Sequence, residues 1–252
     1  MRIYLTGRVG VELNGDLALR ERQFRGRQER LAFVYLVRQR NRTVARDELA
    51  DLIWPGEEAP QAWTTALSAI LSNVRRALAE SGLDVAGMNV SKGFSQYRLT
   101  LPDDAWVDVE VALESIDAAE AALRMGEADR AFGPATVAWT ICKRPFLSGT
   151  HVPWAAHERS MLGRVYLRSL DCIAEVRLEA GESALAVEAA REAIQIDQER
   201  ESSYQLLMRS HDAAGNRAAA IRIYHELRDV LAERLGTGPS RETATLYEQL
   251  IG

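Results

Sequence analysis

In the C-terminal part of the chain, three glycines are each followed at the same distance by alanine. This repeat restricts the possible fold more strongly than any other feature of the sequence. Gly126, Gly181 and Gly215 are each followed five residues later by alanine. The last two glycines lie 34 residues apart, and 55 residues separate the first two. A period of this length predicts a repeated pair of helices, with glycine in the turn and alanine where the helices touch.

Helix pairs of this length are typical of the tetratricopeptide repeat, in which each pair buries its apolar face against the next. About three units are needed for a stable stack, and the stack offers a concave surface to a partner. The longer first interval inserts about 21 further residues between two units. We therefore predict that residues 102–252 form an all-helical, tetratricopeptide-like domain.

The N-terminal part begins and ends with patterns typical of strands. Short apolar runs alternate with polar residues on both sides of Asn14 and Gly15. This pair predicts a tight hairpin, because both turn positions tolerate a positive φ. Residues 85–101 alternate again around Lys92 and Gly93, which predicts a final hairpin.

Three helices are predicted between these hairpins from apolar residues at helical spacing. Asp47 or an adjacent residue is expected to cap the second helix, and Pro55 follows its end. The third helix begins after Pro60 and ends at about Ser81 and Gly82. Sheet, three helices and a terminal hairpin are the parts of a winged helix-turn-helix domain, here residues 1–101. The fold class expected for the whole chain is mostly α (α+β).

The charge of the chain is divided unevenly between these two parts. The formal net charge is -5, but residues 1–100 carry +4 and residues 101–252 carry -9. Nine arginines and two glutamates lie within residues 20–46, which gives this stretch +7. A basic N-terminal part and an acidic C-terminal part predict that the first domain faces a polyanion.

The third helix is the segment that enters the major groove in a winged helix, where short polar side chains and arginine reach base edges. Arginines near the first helix and in the loop before the second are placed to bind phosphates. The predicted phosphate contacts are Arg25, Arg27 and Arg42. The predicted DNA-facing residues of the third helix are Thr64, Thr65, Ser68, Ser72, Asn73, Arg75 and Arg76.

Specific strings in the C-terminal half carry a resemblance to a known family. They are WVD at 106–108, WAAHER at 154–159, QERE at 198–201, LLM at 206–208 and LGTGPS at 235–240. With a winged helix similar to the effector domain of OmpR-type response regulators, the chain resembles the Streptomyces antibiotic regulatory proteins. In that family a bacterial transcriptional activator domain follows the winged helix, and the resemblance covers nearly the whole chain.

The resemblance implies a sequence-specific DNA-binding activator that occupies direct repeats near a promoter and contacts RNA polymerase. It also implies that two copies assemble on DNA. Matched position by position, the third helix again supplies the DNA-facing residues, and the wing is residues 92–96, with Lys92, Ser95 and Gln96 as its DNA contacts. Trp63 and Thr65 stand where basic or amide side chains are common in the family, and Asn73 stands where the family pattern has arginine, so the resemblance implies an unusual base preference.

Two other functions are consistent with the same sequence. A tetratricopeptide adaptor would bind proteins and have lost DNA binding, and a sensor would hold a small-molecule effector in the helical domain. Glu158 and Arg159 fit a catalytic pair, an ion pair between helices or a contact with a partner. Because no nucleophile-elbow, zincin or phosphate-loop motif occurs, we expect no enzyme, no cofactor and no metal. The absence of a signal peptide or long apolar run predicts a cytoplasmic protein without membrane contact.

Overall fold

The computed structural model describes residues 1–56 and 59–252. They form two compact units: Met1–Val111 with Arg144–Leu162, and Ala112–Lys143 with Gly163–Gly252. Residues 102–111 and 144–162 thus pack within the first unit, whereas the sequence pattern places them beyond residue 101. The domain boundary predicted after residue 101 stays a prediction.

Four strands form the first sheet of the N-terminal unit, in the order β3-β2-β1-β7. The turn between β2 and β3 is made by Asn14 and Gly15, with φ of 55° and 92°, so the predicted hairpin is confirmed. β1 and β7 are parallel. The strands are β1 (Arg2–Tyr4), β2 (Gly10–Leu13), β3 (Asp16–Arg20) and β7 (Trp106–Val107).

Three helices follow the first three strands: α1 (Arg27–Arg38), α2 (Arg46–Ile53) and α3 (Trp63–Glu80). The prediction that Asp47 or a direct neighbour caps α2 was wrong, because Ala45 is the N-cap and Asp47 is the second helical residue. The reason is the pairing of the strand just before it, which fixes the backbone up to Ala45. In the first turn of α2, the negative charge of Asp47 still interacts favourably with the helix dipole.

The wing is a three-stranded sheet of β4 (Val44–Ala45), β5 (Asn89–Gly93) and β6 (Gln96–Thr100), in the order β4-β6-β5. The predicted final hairpin is confirmed: Lys92 and Gly93 are the last residues of β5, and Phe94 and Ser95 make the turn. This register places Val90 opposite Leu99 and lets one face of the ribbon be buried. Slipping the turn would move that face towards solvent.

Seven helices make up the rest of the described chain. The glycines of the sequence repeat, Gly126, Gly181 and Gly215, have φ between 73° and 75° and lie between successive helices. The alanines that follow them are fully buried, so the predicted helix contacts are confirmed. The helices are α4 (Asp108–Arg124), α5 (Ala128–Cys142), α6 (Pro153–Glu179), α7 (Ser183–Ile196), α8 (Glu201–Ala213), α9 (Arg217–Leu235) and α10 (Arg241–Ile251).

Two carboxylates tie helix ends together in the C-terminal unit. Asp171 accepts hydrogen bonds from Arg200 at 2.7 Å and from the Ser203 hydroxyl at 2.9 Å. Glu201 accepts from the Ser240 backbone N–H at 2.9 Å and from the Thr243 hydroxyl at 2.5 Å, at the start of α10. The QERE and LGTGPS strings therefore supply helix-end contacts within the unit. None of the helices in the described part of the chain combines the length and apolar character of a membrane span.

An ion pair in the same unit gives a stability that depends on pH. The Arg168 guanidinium donates to Glu120 at 2.6 Å and lowers the pKa of that carboxyl. A depressed pKa stabilises the fold above the unfolded-state value of about 4.3, and the stabilisation is lost as pH falls through the folded-state pKa. We expect Glu120→Gln to cost about 0.5–1 kcal/mol at pH 7 and less near pH 3, where the carboxyl begins to protonate.

Urea unfolding of wild type and Glu120→Gln at both pH values measures this difference. Glu114→Gln is the matched control, because Glu114 is exposed on the same helix and has no ion pair among the described residues. An equal cost of Glu120→Gln at the two pH values would contradict the expectation.

Candidate nucleic-acid interface

The two faces of α3 have opposite roles. Leu67, Ile70, Leu71, Val74 and Leu78 are buried in the core of the N-terminal unit. The opposite face is exposed and carries hydroxyl side chains and one arginine, namely Thr64, Thr65, Ser68, Ser72 and Arg76. Five of the seven predicted DNA-facing residues therefore share one solvent face, and no described carboxylate pairs with Arg76.

An open cleft lies between the N-terminal half of α3 and the wing. It brings together residues that the sequence analysis assigned to the helix and to the wing, and it adds Arg46 from the start of α2. Its described lining residues include no carboxylate. They are Arg46, Thr64, Thr65, Ser68, Lys92, Gly93, Phe94, Ser95 and Tyr97.

Arg46 lies in the cleft but is not among the DNA contacts predicted from the sequence. Its guanidinium lies 5.2 Å from the centre of the Trp63 ring, and its backbone N–H donates to the Ser95 carbonyl at 2.9 Å. These contacts place a partly exposed cation between helix and wing, with the exposed Asp47 carboxylate 3.7 Å from its guanidinium. No local spacing could have revealed it, because Trp63 and Ser95 reach Arg46 only through the fold.

Two predicted residues of α3 are used within the protein. The Asn73 amide donates to the Glu29 carboxylate at 3.2 Å, towards α1. Arg75 donates to the Val90 carbonyl at 2.7 Å, and its guanidinium lies 5.9 Å from the centre of the Tyr97 ring. These two side chains hold α1 and the wing against α3, away from the exposed face.

The three predicted phosphate contacts differ in whether their side chains already have partners within the protein. Arg25 is exposed and makes no ion pair among the described residues. Arg27 is also exposed and donates to the Gly149 carbonyl at 3.2 Å. Arg42 donates to Glu48 at 2.9 Å and to Gln39 at 2.8 Å, so its guanidinium is already neutralised. Gln96 is exposed at the first position of β6, beside the turn.

Glu48 is held ionised by its neighbours at the edge of the interface. The Arg42 guanidinium lowers the pKa of Glu48, to which the Tyr35 hydroxyl also donates. Burial, together with that hydrogen bond, raises the pKa of Tyr35 to about 12. A carboxylate that stays charged keeps Arg42 occupied, so the charge of Arg42 is not free for a phosphate.

Several arginines of the basic stretch at residues 20–46 form ion pairs within the same unit, two of them with acids that lie far outside the stretch. Arg38 donates to Glu158 at 2.9 Å, and Arg40 donates to Glu110 at 2.6 Å. Arg30 pairs with Glu21. The run therefore exposes less positive charge than its composition predicts.

The WAAHER string is part of this packing. Trp154 lies edge-on to Tyr35, with ring centres 4.9 Å apart, and Arg159 donates to the Thr150 carbonyl at 3.0 Å. Glu158 is almost fully buried beside Arg38. Glu158 thus forms an ion pair with Arg38 of α1, whereas Arg159 donates to backbone carbonyls, so both side chains make structural contacts within this unit.

Comparison with known proteins agrees with this architecture. The family model of the bacterial transcriptional activator domain matches residues 107–251. The transcriptional regulatory protein MoaR1 of Mycobacterium bovis is 27% identical over 228 residues, covering 88% of this chain and 71% of MoaR1. The regulatory protein AfsR of Streptomyces coelicolor is 27% identical over 224 residues, covering 89% of this chain and 22% of AfsR.

A solved structure shares the fold. Mycobacterium tuberculosis EmbR, in complex with a low affinity phosphopeptide, superposes with a TM-score of 0.86 at 19% identity, covering 99% of this chain and 64% of EmbR. The chain therefore spans less than two thirds of EmbR and about a fifth of AfsR. Since the family model covers more than half of the chain and the named relatives are regulators, the protein belongs to the bacterial transcriptional activator domain family and is a transcriptional regulator of the Streptomyces antibiotic regulatory protein type.

Proposed function

We propose that this regulator binds specific DNA sequences by inserting α3 into the major groove and activates transcription from the bound site. The observation that carries the proposal is the cleft between α3 and the wing, which places Arg46 and Lys92 beside three hydroxyl side chains of α3, without a described carboxylate among its lining residues. In such interfaces, short hydroxyl side chains usually contact base edges, and cationic side chains contact the phosphates of the DNA backbone.

Each residue has a proposed part. Arg76 and the exposed hydroxyls of α3 contact base edges, while Arg46, Lys92, Arg25 and Arg27 contact phosphates. Ser95 and Gln96 contact the backbone from the wing. Arg42, Asn73 and Arg75 are left out: Arg42 and Asn73 hydrogen-bond to carboxylates, and the Arg75 guanidinium is held against the wing by its hydrogen bond to the Val90 carbonyl. The site of action is the chromosome in the cytoplasm, with direct repeats near a promoter and RNA polymerase as partners.

Selection of bound duplexes from a random DNA pool tests sequence specificity, followed by titration of the winning duplex at several salt concentrations. Each phosphate contact adds about 0.9 to the slope of log affinity against log salt. Arg46→Ala with Lys92→Ala is expected to lower that slope by about two. Arg76→Ala is expected to cost about 1–3 kcal/mol and relax the preference at one position.

Arg222→Ala is the matched control for lost charge, because Arg222 is exposed on α9 in the C-terminal unit. It should leave both slope and affinity unchanged. Equal effects of the control and the cleft variants would contradict the proposed interface. Failure of the wild-type protein to enrich any duplex would contradict DNA recognition and favour the adaptor or the ligand sensor.

Activation is tested separately, by transcription in vitro from a promoter that carries the selected sequence as a direct repeat. We expect more transcript with wild type than without protein, and a loss of this gain with Arg76→Ala. Less transcript on addition of wild type would identify a repressor instead.

A further inference from the structure

The tip of the wing presents a large apolar side chain wholly to solvent. Phe94 is 104% exposed, more than any other large hydrophobic residue in the described chain. A phenyl ring in that position gains nothing for the folded protein, because it buries no surface there. Single exposed apolar residues are common on proteins. The exposure of Phe94 therefore indicates a function only together with the backbone that holds the ring and the residues around it.

The backbone places the ring at the apex of a tight turn. Gly93 pairs with Gln96, so only Phe94 and Ser95 connect the two strands. Ser95 has φ of 54°, a left-handed conformation that a serine adopts rarely. The turn therefore keeps Phe94 at the outermost point of the ribbon.

The ribbon itself is fixed to the DNA-facing helix. Arg75 of α3 donates to the Val90 carbonyl of β5 at 2.7 Å, and Tyr97 of β6 is buried at 2% exposure. The Arg46 N–H at the start of α2 donates to the Ser95 carbonyl at 2.9 Å. The tip thus holds a defined position relative to α3, as a groove-reading element requires.

The surroundings of the ring are cationic. Phe94 lines the same cleft as Lys92 and Arg46, and no carboxylate belongs to the described lining of that cleft. An apolar wedge flanked by cations matches proteins that insert a side chain between base steps from the minor groove while they bind phosphates. A two-stranded tip beside a major-groove helix meets the adjacent minor groove.

We propose that Phe94 is a wedge that enters the minor groove next to the α3 site and partly unstacks one base step. The proposal rests on the proposed DNA binding and assigns the wing a part in specificity. Pyrimidine–purine steps unstack most easily, so the preferred operator carries such a step at a fixed distance from the bases that α3 contacts. Lys92 and Arg46 hold phosphates on either side of the ring.

The test uses the full chain and the duplex selected by the wild-type protein, with 2-aminopurine placed in turn at each adenine of the wing-side minor groove. Binding of wild type should raise the fluorescence at one step and bend the duplex, as measured by energy transfer between its ends. Phe94→Ala should abolish both signals and weaken binding about 5- to 100-fold, while the salt slope stays the same. Phe94→Leu should keep part of the bend.

Lys92→Ala is the matched control on the same strand, and it should lower the salt slope while the fluorescence signal is kept. An unchanged melting temperature of Phe94→Ala shows that the variant folds, as expected for an exposed ring. Tight wild-type binding without a fluorescence change, or equal binding by Phe94→Ala, overturns the wedge and leaves the proposed function standing. Normal binding by Phe94→Ala with lost transcription also overturns it and assigns the ring to a protein contact. If wild type binds no duplex, the proposed function fails, and the wedge with it.

Discussion

Asp108→Ala is expected to destabilise the N-terminal unit by about 3–5 kcal/mol, which is a large fraction of the stability of a domain. Asp108 is fully buried and accepts hydrogen bonds from the backbone N–H groups of Leu5 at 2.9 Å and Thr6 at 3.0 Å. The Thr6 hydroxyl donates to it at 2.8 Å. Alanine would leave the buried N–H groups of Leu5, Thr6 and Val109 without this acceptor, and each such group costs about 1–3 kcal/mol.

The measurement is chemical denaturation, combined with hydrogen exchange read by mass spectrometry to locate the loss. Asp108→Asn keeps the shape and one oxygen acceptor, so it should fall between alanine and wild type. Asp104→Ala is the matched control, because Asp104 is exposed a few residues earlier. A cost of Asp108→Ala below 1 kcal/mol would show that the backbone finds other acceptors. Burial raises the pKa of Asp108, and the hydrogen bonds from Thr6 and Leu5 oppose that rise.

Tyr204→Ala should have a comparable effect in the C-terminal unit, with a loss of about 3–5 kcal/mol. Tyr204 lies on α8 and is among the largest fully buried side chains, at 1% exposure. It packs in a cluster with Ala174, Ala193 and Leu207, among others. These neighbours are too small or too fixed to fill the space of an absent ring, so a cavity remains.

Tyr204→Phe separates the ring from its hydroxyl. The hydroxyl oxygen is buried without a hydrogen-bond partner among the described residues, and burial raises its pKa. Removing an unsatisfied hydroxyl costs nothing, so Tyr204→Phe should equal or exceed wild-type stability by up to about 1 kcal/mol. Denaturant unfolding measures both variants, with Leu235→Ala at the exposed end of α9 as control. A loss above 1 kcal/mol in Tyr204→Phe would reveal a bound water or another partner.

The candidate interface could be predicted from sequence only in part. The exposed hydroxyls of α3 follow from helical periodicity, because residues opposite an apolar stripe face solvent. Asn73 and Arg75 have the same residue chemistry, but the fold turns them to Glu29 and Val90. Periodicity identifies a face, whereas the choice between DNA and an internal partner depends on elements packed beside that face.

The wing shows how the tertiary structure refines a local prediction. Lys92 and Gly93 are favourable turn residues, yet Phe94 and Ser95 make the turn of the predicted hairpin, despite a positive φ at serine. Burial of Val90 and Leu99 against the core fixes the register, and that gain exceeds the strain of the turn. The same register places Phe94 at the tip, where no sequence pattern indicated it.

By itself the sequence determined the helical repeat, the first hairpin, the apolar face of α3 and the family. Each of these features depends on the spacing of residues within a few tens of positions, or on short sequence strings that are recognised without knowledge of the fold. The tertiary structure alone decided which arginines are neutralised by Glu110 and Glu158, how Asp108 holds the first strand, and that Arg46 joins the cleft. These depend on atoms more than a hundred residues apart in some pairs, and only the packing of the chain brings such atoms within bonding distance.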